Sequence, residues 1–345
     1  MLVAGVMVGS SLDGIDVVAY DTHEKKLIDS HCFPIPNELR LLTLAVVQGK
    51  KITAYQMGAL QQQWTMLCVQ AVQSISQPIT LVGVHGPTLA HAPNDQYPFS
   101  WQCVDAITMS NRLTLPVVSD FRQRDIVSGG QGAPLAPLFH QALLPCETDA
   151  VVNLGGVANI TLLNQQPIIG FDVGPANGLL DELALTYLKQ PYDQDGQWAS
   201  EGVVQQVLLQ RLMKEPFVHI APPKSTGRCY FNTKWLASFT SHEKPQDIAA
   251  TLCYWTALLL KKHLNGLKNI YFCGGGVYHQ VLMSSLREVL DHPCPTTDEL
   301  GLPAQWLEAI GFAWLAEKRH LDQAMDLSTI TGGSIQPVGE LVYPS

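Results

Sequence analysis

Positive charge is scarce in this sequence. Its 345 residues hold 21 Lys and Arg against 30 Asp and Glu, a formal net charge of -9, and the basic residues form no run. That removes the electrostatic footprint of a protein that binds nucleic acid or an anionic membrane surface. Long apolar runs are missing as well. The nearest, residues 248–260, is interrupted by Thr251, Tyr254 and Thr256 and falls short of the ~18 to 20 residues that span a bilayer. The opening MLVAGVMVGSSLDG has no basic segment before its apolar stretch and a polar turn straight after it, so it reads as a strand in place of a signal peptide. The eight cysteines, Cys32, Cys68, Cys103, Cys146, Cys229, Cys253, Cys273 and Cys294, form no CxxC pair. That is the reduced usage of a cytoplasmic protein. The sequence also lacks GxxxxGK followed by Ser or Thr, and no GxGxxG follows a strand, which excludes the P-loop and the dinucleotide fingerprint.

What is present is enough apolar material, 46% of the residues, for two cores, since single cores stop growing near ~250 to 300 residues. The chain opens as a hairpin: an apolar strand over 2–8, a turn Gly9-Ser10-Ser11-Leu12-Asp13-Gly14, and a β-rich arm over 15–20, with a third strand near 27–33. Helical periodicity follows over 38–47 and 54–75, then a buried strand over 80–84 that ends at His85-Gly86. Near residue 150 the pattern restarts: a strand over 151–154, the turn Gly155-Gly156, a second arm over 157–163, a third strand over 167–171 and a helix over 177–188. Such self-similarity predicts a duplicated domain with a cleft between the halves. A helix over 246–264, a strand over 269–273, the triplet Gly274-Gly275-Gly276 and helices over 278–290 and 303–317 complete an α/β pattern of mixed sheets covered by helices. The expected domains are residues 1–140 and 141–345.

Three glycine turns each follow a strand, and a glycine lets backbone N–H groups approach a polyphosphate closely. Any one could be a plain tight turn; three, two of them at matching points of a repeat, favour nucleotide binding. Asp13 and Asp16 sit in the first hairpin, where a carboxylate can hold Mg2+ directly or through water; Asp13 could equally cap the turn, and Asp16 is expected to be structural unless the hairpin twist aims it at the cleft. Asp172 ends a strand just before Gly174-Pro175, the position from which an acid opens onto a ligand crevice and can act as general base; Asn177 is the better helix cap. Arg122 and Arg124, in the run Ser119-Asp120-Phe121-Arg122-Gln123-Arg124-Asp125, read as a loop facing a cleft and would suit a substrate carrying a carboxylate or phosphate, although the run taken alone favours an exposed salt-bridge cluster. The glycines 129, 130 and 132 after them could form a hinge or a rigid substrate loop. His85 and His91 have no third ligand at a zinc-like spacing and are expected to be satisfied polar histidines.

Several segments, in order and content, resemble the anhydro-N-acetylmuramic acid kinase family. They are residues 7–16, His85-Gly86-Pro87-Thr88, residues 119–134, Asn153-Leu154-Gly155-Gly156-Val157-Ala158-Asn159-Ile160-Thr161, residues 171–177, 222–228 with Phe231-Asn232, 273–276, and Gln305-Trp306-Leu307-Glu308-Ala309-Ile310. The resemblance implies two ribonuclease-H-like domains of the actin/hexokinase-like class around a central cleft. It implies an ATP-dependent kinase of cell-wall recycling that phosphorylates O6 of 1,6-anhydro-N-acetylmuramic acid while water opens the anhydro bridge at C1. Carried over, Gly9, Ser10, Ser11, Leu12, Asp13, Gly14, Ile15 and Asp16 line the ATP phosphates with Gly155 and Gly156. Gly274, Gly275 and Gly276 take the adenosine side, and Asp13 the Mg2+. Asp172 is the base, and Thr88, Arg122, Arg124, Asp125 and Glu308 are sugar contacts. A homodimer is compatible with the resemblance, and no nucleic acid or membrane partner is implied. The sequence departs from the family's usual residues at Val8, Ser10, Pro87, Val173 and Ala176. The alternatives are a kinase of another sugar or carboxylate on the same fold and an actin-like ATPase switch.

Overall fold

The computed structural model describes residues 1–222, 224–226 and 230–345. Pro223, Gly227, Arg228 and Cys229 lie outside the described residues, and with them part of the 222–228 segment and one of the eight cysteines. The chain divides into two compact units, Met1–Leu143 with Trp306–Ser345, and Leu144–Gln305.

The first unit opens with β1 (Leu2–Val8), β2 (Ile15–Asp21) and β3 (Lys26–Phe33), followed by α1 (Asn37–Val47), α2 (Ala54–Gln73) and β4 (Leu81–His85). A hairpin of β5 (Thr88–Ala92) and β6 (Phe99–Gln102) leads to α3 (Ala106–Leu113), β7 (Val117–Ser119), α4 (Phe121–Val127) and α5 (Ala136–Leu143). The second unit holds β8 (Ala150–Leu154), β9 (Val157–Leu162), β10 (Ile169–Pro175), α6 (Asn177–Tyr187), α7 (Gln206–Leu212), α8 (Thr233–Ala237), α9 (Pro245–Leu264), β11 (Ile270–Cys273) and α10 (Gln280–Leu290). The chain then returns to the first unit with α11 (Leu307–His320), the short pair β12 (Met325–Asp326) and β13 (Ile335–Gln336), and β14 (Glu340–Val342).

The sheets carry the internal repeat. In the first unit the order is β14-β7-β4-β1-β2-β3, and in the second β10-β9-β8-β11. The core of each is the same: a strand paired antiparallel to its hairpin partner, a third antiparallel strand beyond, and a parallel strand on the other side. The parallel strands are mainly apolar and largely buried, as strands covered by helices are, and turn polar at their carboxyl ends with His85 on β4 and Asn153 on β8. One face of the first sheet packs Ala4, Val6, Ile15, Val17 and Val84 against Leu60, Trp64 and Cys68 of α2.

The other face takes α11, which explains the one departure from the expected domains. Residues 306–345, expected in the second domain, pack with the first. A Cβ on Gly5 would stand 1.9 Å from the Ala309 carbonyl oxygen, and one on Gly83 would stand 2.3 Å from that of Phe312. Two glycines on adjacent parallel strands thus let the helix backbone lie directly on the sheet. The run 128–134 is likewise internal to the first unit and is pinned there. Gln131 N donates to Thr331 O at 2.9 Å, and Gly132 N to Asp125 Oδ2 at 2.7 Å. The chain passes between the units at Leu143–Leu144 and Gln305–Trp306, so the glycine run is not where they join. No helix among the described residues is long and apolar enough to cross a membrane.

Candidate active site

In the first unit the candidates gather at the carboxyl ends of β1, β4 and β7. The β1–β2 turn closes with Leu12 N donating to Gly9 O at 3.2 Å, and Leu12 takes a left-handed φ of 52°. Its side chain is only 3% exposed, so burial of an apolar group offsets the strain of that conformation. The turn therefore keeps one shape while Ser10 and Asp13 face solvent. Ser11 Oγ donates to Asp13 Oδ1 at 2.6 Å, which orients that carboxylate. A Cβ on Gly9 would meet only Ser11 Oγ, at an ordinary contact distance of 3.5 Å, whereas one on Gly14 would meet Cys32 Sγ at 2.3 Å. Gly9 is the glycine here that a ligand can approach, and Gly14 is required by packing.

Asp16 follows the turn on β2, opposite Met7, and Met7 is in register with His85 on β4. These three lie in one row on the face that α11 covers. The Cys32 thiol donates to Asp16, and burial, followed by the charges of Asp16 and Asp13, pushes it up to about 12. The helix runs antiparallel to the strands, since Phe312 lies over Gly83 and His85, and Ala316 over Gly83. Its first turn, with half-buried Glu308, therefore stands over the carboxyl end of the sheet.

The arginines are placed differently from the expectation of a substrate loop. The stretch that holds them is a helix, and side chains two apart on a helix diverge by about 200°. Arg122 Nε donates to His85 Nε2 at 2.8 Å, and its Nη1 to Gly132 O at 3.1 Å. Arg124 turns to β14 and pairs with Glu340 at 2.7 Å, with both side chains over a third exposed. Asp125 is fully buried. Besides Gly132 N its carboxylate accepts from Thr331 Oγ1 at 2.9 Å, and a Cβ on Gly130 or Gly333 would strike it at 2.3 or 2.1 Å. Burial raises its carboxyl above the ordinary range. Arg124 and Asp125 are thus held as scaffold residues, and Arg122 alone of the three reaches the carboxyl end of β4 at His85.

Thr88 heads β5. Gln102 Nε2 donates to Thr88 Oγ1 at 3.1 Å and to Ser100 Oγ at 2.9 Å, so the Thr88 hydroxyl proton is directed away from Gln102. His91 Nδ1 lies 3.0 Å from Ser100 Oγ, and Ser100 N donates to Gln123 Oε1 at 2.8 Å. His91 is thus partnered, as expected, whereas His85 is satisfied on one side only: its Nε2 accepts from Arg122 and its buried Nδ1 has no hydrogen-bond partner among the described residues. Burial first, then the Arg122 charge, holds His85 well below the ordinary range and lowers His91 to about 4.

In the second unit two glycine turns meet. A Cβ on Gly274, which has φ 83°, would lie 2.2 Å from Asn153 Oδ1, and one on Gly276 would lie 2.6 Å from Leu154 Cβ. Those glycines serve the packing of β11's turn on β8's; Gly155 and Gly275 keep no contact closer than 3.6 Å and 4.0 Å. Asn177 is the first residue of α6 and not its cap, which is Ala176. Its Nδ2 donates to Leu154 O at 3.1 Å. The first amides of the helix go to the glycine turn, Asn177 N to Gly155 O at 3.0 Å and Gly178 N to Gly156 O at 3.0 Å.

Asp172 lies on β10 opposite Asn159, at a register shift between Asp172 and Gly174 that leaves Val173 as the extra residue. Such a bulge re-aims side chains. Thr226 N donates to Asp172 Oδ2 at 2.8 Å, and Asp172 N donates to Lys224 O at 3.0 Å. Lys224 is 9% exposed, donates to Phe217 O at 3.2 Å, and has its ammonium 4.6 Å from the Phe217 ring centre. Burial, then Lys262, lowers its pKa while Asp172 raises it. The roles of Lys224 and Thr226 escape a reading of the sequence, because nothing in Lys224-Ser225-Thr226 announces that the segment lies beside β10. No group of three or more His, Cys, Asp or Glu that could hold a metal ion occurs among the described residues.

The whole sequence has clear relatives. The family described as anhydro-N-acetylmuramic acid kinase matches residues 1–344. The anhydro-N-acetylmuramic acid kinase of Vibrio vulnificus strain YJ016 is 36% identical over 363 aligned positions, covering 99% of this chain and 98% of that protein. That of strain CMCP6 is 37% identical, covering 96% and 95%. Among solved structures the likeness is distant: component A of Acidaminococcus fermentans (R)-2-hydroxyglutaryl-CoA dehydratase is 11% identical with a TM-score of 0.48, over 93% of this chain and 99% of that one. The chain belongs to the anhydro-N-acetylmuramic acid kinase family.

Proposed function

We propose that this protein transfers the γ-phosphoryl group of ATP to O6 of 1,6-anhydro-N-acetylmuramic acid while a water molecule opens the anhydro bridge, giving N-acetylmuramic acid 6-phosphate and ADP in cell-wall recycling. The observation that carries the mechanism is Asp172, a carboxylate aimed by a bulge and oriented by the Thr226 amide. Asp172 takes one proton from the water, whose oxygen bonds to C1. The C1–O6 bond breaks, O6 bonds to the γ-phosphorus, and the bond from that phosphorus to the bridging oxygen of ADP breaks. The proton on Asp172 then passes to solvent. Phosphoryl transfer of this kind asks for positioning and charge stabilisation and no covalent nucleophile.

Gly9 and the amides of the 9–14 turn are suited to the phosphates of ATP, and Gly155 and Gly275 give open backbone in the second unit. Asp13 and Asp16 fit Mg2+ that arrives with ATP, an ion that takes one or two carboxylates and completes its shell with water and phosphate oxygens. That ion would neutralise charge on the phosphates. Arg122 and Thr88 suit the sugar, the guanidinium for its lactyl carboxylate and the hydroxyl for a neutral acceptor, with Glu308 at the same end of the sheet. The protein acts in the cytoplasm on this reading. The test is ADP release with a panel of sugars: turnover confined to the anhydro sugar supports the reading, and faster turnover of a plain hexose overturns it.

A further inference from the structure

His85 donates nothing to Arg122; it accepts. A ring nitrogen that accepts from a guanidinium must carry a lone pair, and a doubly protonated imidazole has none. The ring is therefore neutral, which burial beside a cation enforces: His85 is 3% exposed and lies against Phe312 with ring centres 4.7 Å apart. Gly132 O, which also accepts from Arg122, is likewise a neutral dipole. Two residues along the same helix, Arg124 pairs with the Glu340 carboxylate. A carboxylate at the position of His85 would hold Arg122 as firmly, but it would bring a negative charge to the guanidinium.

We propose that His85 is a positioning residue for substrate recognition, a neutral acceptor that fixes Arg122 through Nε without adding negative charge where an anionic substrate group binds. The inference rests on Arg122 meeting the substrate carboxylate, as proposed above. It assigns His85 a share in the discrimination between an anionic sugar acid and a neutral analogue, and no contact with the reacting atoms.

The experiment compares kcat and KM for anhydro-N-acetylmuramic acid and for its neutral carboxamide in the wild type, Arg122→Ala, His85→Gln, His85→Leu and His85→Glu. The acid should be preferred by roughly tenfold or more in kcat/KM, the scale of a charge-assisted pair. His85→Gln presents a neutral side-chain oxygen and should keep the preference within about threefold. His85→Leu lacks an acceptor and should lose most of it through KM for the acid. His85→Glu should lose it more completely, because the new charge competes for the guanidinium. If the glutamate variant does not fold, the contrast between glutamine and leucine decides: equal KM values for the acid overturn the proposal. If Arg122→Ala abolishes the preference while all His85 variants keep it, the role of His85 is wrong and that of Arg122 stands. An Arg122→Ala variant with the wild-type preference defeats both.

Discussion

Thr226 donates its backbone N–H to the Asp172 carboxylate at 2.8 Å, so the orientation of the proposed base is fixed by a main-chain group that no change of rotamer can withdraw. The amide of Asp172 in turn bonds to the carbonyl of Lys224. An Asn at this position can still accept from Thr226 but cannot take a proton from water. Asp172→Asn should therefore keep ATP and sugar affinity near normal in calorimetry while turnover falls by ~10² or more. Near-normal turnover would move the base to another carboxylate, Asp181 on α6 or Glu308 on α11.

Asp13 faces solvent beside the phosphate turn and is oriented by Ser11. Asp13→Ala should weaken Mg-ATP and leave sugar affinity unchanged, with the loss smaller for ATP titrated without Mg2+. Equal Mg-ATP affinity and intact turnover would make Asp13 a turn residue and nothing more.

The contact of α11 with the sheet gives a prediction about stability. A methyl group on Gly5 meets the Ala309 carbonyl, a backbone atom that cannot rotate aside. Gly5→Ala should lower the unfolding free energy by about 1–3 kcal/mol or more, the range for overpacking. Gly58 on α2 has nothing within 4 Å of the same position, and Gly58→Ala should be neutral or stabilise by up to ~1 kcal/mol. Urea unfolding of the two variants tests the difference; equal effects would contradict the packing described.

His140 is 1% exposed, and burial lowers it from 6.5 to about 3. The folded protein thus resists a proton that the unfolded chain accepts. Stability from this residue is complete above pH 6.5 and declines as pH falls towards 3, at about 1.4 kcal/mol per pH unit. His140→Gln should flatten the loss between pH 6.5 and 5 by roughly 2 kcal/mol. The same slope in variant and wild type would contradict it.

The strand-turn-strand openings of both halves were legible because alternation and glycine turns are local signals. The same holds for the long helices, whereas Asp172, expected at a strand end, lies inside β10, which continues through a bulge to Pro175. What was not legible depends on distant contacts. Phe121–Val127 is too short for helical periodicity to show, so Arg122 and Arg124 read as loop neighbours until the helix sends one to His85 and the other to Glu340. Asp125 reads as a ligand contact because the sequence does not reveal that Thr331, far along the chain, closes over it. Gly5 and Gly83 look like ordinary strand glycines until α11 returns from the other end of the sequence to lie on them.

The central claim is that phosphoryl transfer and ring opening occur in one turnover. Mass spectrometry of the product made from anhydro-N-acetylmuramic acid and ATP tests it directly, with ADP counted in the same reaction. The account predicts a product heavier than the sugar by one phosphoryl group and one water, formed one for one with ADP. A product heavier by the phosphoryl group alone, or ADP and inorganic phosphate released from unchanged sugar, would contradict it.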